Sequence, residues 1–178
     1  MLISEPLSEN FKLGDLTRCA DAVKFHGIEN IPREEKSLSA LVSLAEEILE
    51  PVVTVYGFPQ LTMGFCSPAV QRLMKQGIAP GLDQHAAHEL NSRGKPVCPR
   101  GGAACDFFID GQGSLRVAQW LVSNLKFDRL YFYGDDRPIH ASWSKTPSRS
   151  VVLVKRSHRT GRRFPSSISI SDFLALSR

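Results

Sequence analysis

Apolar and polar residues recur along this chain with two different periods, and each period marks a different kind of element. From Leu38 to Leu49 the apolar positions Leu38, Leu41, Val42, Ala45, Ile48 and Leu49 follow helical spacing, with Glu46, Glu47 and Glu50 on the other side. Pro32 and the charged run Arg33-Glu34-Glu35-Lys36 introduce this helix. Pro51 falls inside the continuing pattern toward Val55 and should kink or end it. Leu115, Ala118, Trp120, Leu121 and Val122 give a second broad apolar face over Leu115 to Leu125, with Ser114 placed to cap it. Shorter helical pieces are predicted around Gly14 to Phe25, over Ala69 to Lys75 behind the start signal Ser67-Pro68, and over Ser171 to Leu176.

Strands are predicted at Leu61 to Phe65, around Asp106, at Arg129 to Tyr133, at Ile139 to Trp143 and at Ser150 to Arg156. The turn Gly134-Asp135-Asp136-Arg137-Pro138 joins two of them into a hairpin. Helices first, then one helix inserted among strands, predicts an α+β domain in which N-terminal helices pack on a small antiparallel sheet. Residues 79–100 carry Pro80, Gly81, Gly94, Pro96 and Pro99, too broken for regular structure beyond a turn of helix at Ala86 to Leu90. A loop of that length inside a compact domain is commonly functional or mobile. It holds His85 and His88.

Composition narrows the picture. At 178 residues the chain is one domain, with an inserted loop at 79–100 and a basic strand and tail at 145–178. With 42% hydrophobic and 22% charged residues, the composition is that of a folded globular protein. No apolar run approaches the roughly 20 residues of a membrane span, and the N-terminus has no basic segment followed by an apolar core, so the expected location is the cytoplasm. Cys19, Cys66, Cys98 and Cys105 form no C-x-x-C pair, which argues against a cysteine zinc finger and for small buried thiols.

Charge is unevenly distributed. Arg137, Lys145, Arg149, Lys155, Arg156, Arg159, Arg162 and Arg163 fall in a stretch to Ser171 with no acidic residue, so a net charge of +4 divides into +8 there and −4 elsewhere. Such a block attracts polyanions such as nucleic acid, anionic glycan or a lipid surface. It also serves as the charged edge by which exposed strands avoid pairing with other chains. Only Phe164 lies close to the arginine cluster as a platform for base stacking.

The candidate chemistry starts from Gly101-Gly102-Ala103-Ala104-Cys105-Asp106-Phe107-Phe108-Ile109-Asp110. Asp106 is an isolated carboxylate in a short apolar run, and an unpartnered charge buried there costs several kcal/mol, roughly, so it needs a partner. Alternation puts Ala104, Asp106 and Phe108 on one face and Cys105, Phe107 and Ile109 on the other. The partner is a cation, an arginine such as Arg129 or Arg137, or a metal. His85, Asp106 and His140 together make a suitable zinc set, two imidazoles and a carboxylate with the fourth position open to water. Cys98 and Cys105, flanking the glycine pair, are weaker extra ligands. Taken alone, His140 between Ile139 and Ala141 reads as a core histidine with its polar atoms satisfied.

The order of these residues adds to this reading. Over roughly Leu7 to Trp143 the chain resembles the D-alanyl-D-alanine carboxypeptidase-like zinc peptidases, whose fold is shared with the signalling domain of Hedgehog. The resemblance rests on Leu7-Ser8-Glu9-Asn10-Phe11, Thr17-Arg18, Gly27-Ile28-Glu29-Asn30-Ile31-Pro32, Leu44 to Pro51 and Gly64-Phe65-Cys66-Ser67-Pro68-Ala69-Val70. It continues in Gln84-His85 and Gly102-Ala103-Ala104-Cys105-Asp106, similar to the two ends of the family's H-x-x-G-x-A-x-D motif, and in Phe127-Asp128-Arg129-Leu130 and Ile139-His140-Ala141-Ser142-Trp143.

The resemblance implies zinc held by His85, Asp106 and His140, and hydrolysis of a small amide such as a cell-wall stem peptide containing D-amino acids. Three departures stand out. About fourteen extra residues separate His85 from Gly102, which makes His88 a rival ligand; Cys66 stands where the family has an arginine; and Tyr133 stands where it has an acid. Asp135 or Asp136 is then the expected proton shuttle and Arg137 the replacement cation. Without a signal segment, a wall-cutting enzyme would be released by lysis, or else the substrate is cytoplasmic. The competing expectation is a catalytically degenerate module, with or without metal, that binds a polyanion through residues 137–163.

Overall fold

The computed structural model describes residues 3–17, 27–73, 83–157 and 159–177. Helix α1 (Leu13–Leu16) opens the chain, and the rest of the helix expected up to Phe25 lies outside the described residues. The long apolar stripe folds as α2 (Glu35–Leu44), a π-helical turn (Ala45–Leu49) and α3 (Glu50–Tyr56). Pro51 therefore does not end the helix. It has no N–H to offer the carbonyl of Glu47, and its ring would press on that carbonyl in a regular α path. One wider turn just before it takes up the mismatch. Ala45, Ile48, Leu49 and Val52 stay fully buried through the change.

Helix α4 (Pro68–Leu73) starts where Ser67-Pro68 predicts, with the Val70 N–H donating to Ser67 Oγ at 3.4 Å. Helix α5 (Ser114–Asn124) differs at its start from the expectation. Ser114 Oγ donates to the Arg137 carbonyl, and Asp135 Oδ1 accepts the Leu115 N–H at 2.8 Å instead. The last helix is α6 (Ile170–Leu174), capped by Ser169.

Six strands form one sheet: β1 (Gln60–Met63), β2 (Ala103–Phe108), β3 (Arg129–Phe132), β4 (Ile139–Trp143), β5 (Ser150–Arg156) and β6 (Arg163–Ile168), in the order β1-β2-β4-β3-β5-β6. The expected β3–β4 hairpin is present, with Tyr131 opposite His140. The sheet is mixed, not purely antiparallel, because β3 and β5 run parallel, Leu130 opposite Val151. The hairpin dictates this. β4 ends beside the start of β3 and its other edge is taken by β2, so the short link Ser144 to Arg149 delivers β5 to the free edge of β3 in the same direction. Strand β6 was not foreseen, since Pro165 argues against a strand interior; at the sheet edge its missing N–H is tolerated.

One face of the sheet carries Phe107, Leu130, Ile139, Ala141 and Val151, which pack with Leu41, Leu44, Ile48, Leu121, Val122 and Phe173 into the main core. The other face carries Ala104, Asp106, Tyr131, His140 and Ser142, and residues 83–102 lie over it. No helix among the described residues is long and apolar enough to cross a membrane.

Candidate metal centre

Asp106 on β2 and His140 on β4 are direct partners in the antiparallel ladder, so the register itself sets their side chains next to each other on the open face. His140 Nδ1 lies 2.7 Å from Asp106 Oδ1. Tyr131, the partner of His140 on β3, meets the imidazole edge to face, with ring centroids 5.1 Å apart. His85 comes from the overlying loop. Its ring is 5.0 Å from that of His140, and its Nε2 is 3.5 Å from Asp106 Oδ1. One ligand atom from each of the three lies within 4.8 Å of the other two.

The loop is held in place by a chain of buried polar groups. His85 Nδ1 contacts the Gly64 carbonyl at 2.7 Å, and the Cys66 N–H donates to the His85 carbonyl. Gly64 is required there, because a Cβ would run into the Leu16 carbonyl. Asp83 Oδ1 accepts the His85 N–H, and Asp83 Oδ2 accepts from Gln71. Gln84 donates to Asp128 and to the Gly101 carbonyl, and accepts from the Ser142 hydroxyl. Asp128, fully buried beneath the loop, also takes Arg100 at 2.6 Å and the Ser148 N–H at 2.7 Å. Glu89 reaches across to α2, accepting the Arg33 and Glu34 N–H groups and the Ser37 hydroxyl.

Electrostatics follow from this packing. Burial opposes the charge on Asp106, yet His140 and His85 beside it hold its carboxyl well below the usual carboxylate range. Burial lowers the pKa of His85, and Asp106 followed by Asp83 outweighs it, leaving the net direction upward. Burial and then the Asp106 charge push the Tyr133 hydroxyl up, so it keeps its proton.

The donor set fits a divalent cation on one observation in particular. Among the described residues, His85 Nε2 is buried with no hydrogen-bond partner. Since Nδ1 faces a carbonyl, which can only accept, Nδ1 carries a proton, and in the neutral ring Nε2 is left with a lone pair directed toward Asp106 Oδ1, 3.5 Å away, and His140. A buried lone pair without a donor is costly, and a metal ion is the partner this arrangement suits. Two imidazoles and one carboxylate accommodate zinc with an open position and are also a known set for other divalent metals.

The structure therefore brings His85, Asp106 and His140 together and removes His88, whose Nε2 accepts the Gly102 N–H at 2.9 Å. Asp106 has neither Arg129 nor Arg137 as its partner. Cys98 and Cys105 are free, buried and outside the group. Cys66 departs from the expectation of reduced thiols, being disulfide-bonded. Asp135, Asp136 and Arg137 line a surface cavity with Asp110 and Gln112, and none of the three metal-site residues lines it. Asp135 is engaged at the start of α5, and Asp136 lies 3.8 Å from Arg137.

Asp83 and Gln84 have central roles here that the sequence reading did not assign. Asp83 had a signal, since an Asp two residues before a histidine is placed to form an Asx turn. Gln84 had none, because its partners Gly101, Asp128 and Ser142 lie 17, 44 and 58 residues away.

The class so defined is an α+β protein with a mixed six-stranded sheet and a buried candidate metal centre of two histidines and one aspartate on its non-core face. No family model matches the chain, and neither the curated proteins nor the solved structures compared with it gave a match.

Proposed function

We propose that His85, Asp106 and His140 hold zinc and that the protein hydrolyses a small amide or peptide bond, with a cell-wall stem peptide as the candidate substrate. The observation that carries this reading is the buried, unpartnered Nε2 of His85, aimed at the other two ligands. Zinc bound there would supply a Lewis acid and a water of lowered pKa. The chain's own residues do the rest. Gly64 and Asp106 fix the orientation of the two imidazoles, and Tyr131 backs the His140 ring. The Asp106 side chain keeps 20% exposure while those of the histidines are almost sealed, which leaves one side of the centre open to a substrate.

For the proton shuttle Asp136 is the candidate of the pair, since Asp135 is engaged at the α5 start, although Asp136 lines a surface cavity apart from the three metal-site residues. Arg137 beside it is the candidate cation. Loss of no turnover in Asp136→Asn would remove this assignment. A disulfide at Cys66 fits an enzyme that works in an oxidising setting after release by lysis.

The test is elemental analysis of the untagged protein beside His140→Ala. About one zinc per chain that is lost in the variant is expected. Absence of metal from the wild type would replace this reading with that of a metal-free binding module.

A further inference from the structure

The basic segment seen in the sequence contracts, in three dimensions, to the β5–β6 hairpin. Arg149 is taken up at the end of α5, where its guanidinium donates to the Val122 and Leu125 carbonyls, and Arg137 lies against Asp136. Lys155, Arg156, Arg159, Arg162 and Arg163 are all exposed. Arg156 stands directly opposite Arg163 in the ladder. A like-charge cross-strand pair costs stability, and among the described residues neither has a carboxylate within ion-pair distance. The two charges thus sit on paired positions of the hairpin, with the Arg156 Nε donating to the Gly161 carbonyl at 3.1 Å.

Their face is the informative part. Counting back by twos from Arg156 gives Val154 and Val152; Val152 is opposite Tyr131, Tyr131 opposite His140, and His140 opposite Asp106. Arg156 and Arg163 thus share the face of the candidate metal centre, while Lys155 and Phe164 point to the other. The Arg163 guanidinium carbon lies 6.0 Å from the ring centroid of Tyr133, the next residue on this face after Tyr131. A row therefore leads from His140 through Tyr131 and Tyr133 to Arg163 and Arg156. Strand spacing and rise put Arg163's charge on the order of four extended peptide residues from His140.

We propose that the amide substrate of this centre is a carboxylate-rich peptide, whose acidic side chains lie along Arg163 and Arg156 while the scissile bond sits at His85, Asp106 and His140. This rests on the hydrolase reading. An acidic peptide is favoured over nucleic acid because the row starts at a site suited to amide chemistry, and because Phe164, the exposed aromatic of the hairpin, lies on the opposite face from the two arginines.

Two measurements on the full chain, with metal content determined on the same samples, test it. In the first, labelled poly-L-glutamate and a single-stranded oligothymidylate of matched charge are titrated by fluorescence anisotropy. Polyglutamate binds more tightly, the double variant Arg156→Gln/Arg163→Gln weakens it by about tenfold or more, and Lys145→Gln leaves it within about twofold. His140→Ala loses the metal and keeps the polyglutamate affinity. Tighter binding of the oligonucleotide, or an unchanged double variant with an intact thermal transition, overturns the proposal.

In the second, two peptides identical except for Glu or Gln at four positions beyond the candidate amide are compared. The Glu peptide is cleaved with a kcat/KM about tenfold higher, an advantage the double variant loses. Equal rates overturn the proposal. Metal-free wild type that binds polyglutamate through the arginines overturns the hydrolase reading instead, because the surface then acts without the centre.

Discussion

At the scale of single residues, Gly102 and Asp128 decide whether the loop can lie on the sheet. Gly102 has φ +88°, and a Cβ there would collide with the Trp143 carbonyl and press on Gln84. Gly102→Ala is expected to lower stability by about 1–3 kcal/mol, read from urea unfolding. Asp128 gathers Arg100, Ser148 and Gln84 around one buried carboxylate. Asp128→Asn leaves Arg100 without its charge partner and is expected to cost about 2–4 kcal/mol at neutral pH.

The pH dependence of that cost has a definite sign. Burial favours the neutral acid, but Arg100 and Ser148 hold the Asp128 carboxyl below its ordinary range. A group depressed on folding contributes stability above its unfolded pKa and loses it as pH falls through the folded one. The gap between wild type and Asp128→Asn is therefore flat near neutrality and narrows below about pH 4. A gap that widened in acid would contradict this assignment.

At the scale of elements, the segment 83–102 reads in the sequence as a broken loop and acts in the fold as a fixed wall. Ala86, Ala87, Glu89 and Cys98 are buried, while the stretch from Leu90 to Pro96, pinned by its own bridge, is exposed together with Pro99 and Arg100. Glu89 supplies to α2 the acceptor that its own first residues lack, since Glu34 makes no side-chain cap. Glu89→Gln keeps the shape and removes the charge. The expected cost is about 1 kcal/mol, with faster amide exchange from Arg33 to Ser37 and across Ala86 to Glu89 together. Exchange that rose in α2 alone would mean that the wall is held by Asp128 and Gln84 without Glu89.

At the scale of the whole molecule, two layers meet in one sheet. The helical layer fills one face with apolar side chains, and the other face is left for polar groups that need each other. A buried imidazole nitrogen without a partner is tolerable only because the surrounding core over-determines its position. Binding of a cation there stabilises the native state by mass action. Zinc at roughly a hundred times its dissociation constant adds about 2.7 kcal/mol, visible as a rise in Tm that His85→Ala abolishes. An unchanged Tm in wild type over that range would remove the centre as a metal site.

Much of this was legible in the order of residues. Helical spacing located the long helix and α5, and alternation placed Asp106 and Cys105 on opposite faces, because periodicity is local and backbone geometry converts it directly into faces. The sequence also marked Asp106, as an isolated charge that had to find a partner, while His85 and His140 joined it as a suitable zinc set and through the resemblance.

Tertiary structure alone decided what depends on register and on distant contacts. It turned a sheet expected to be antiparallel into a mixed one, because the β3–β4 hairpin leaves only one free edge for β5. It carried the helix past Pro51 by a π turn just before it, because the stripe beyond still had core to bury. It chose His85 over His88, because Gly64 and Gly102, far apart in the chain, each engage one of the two rings. And it placed two of the basic residues, Arg156 and Arg163, on the face of the candidate centre, because their parity is fixed only through the intervening strands.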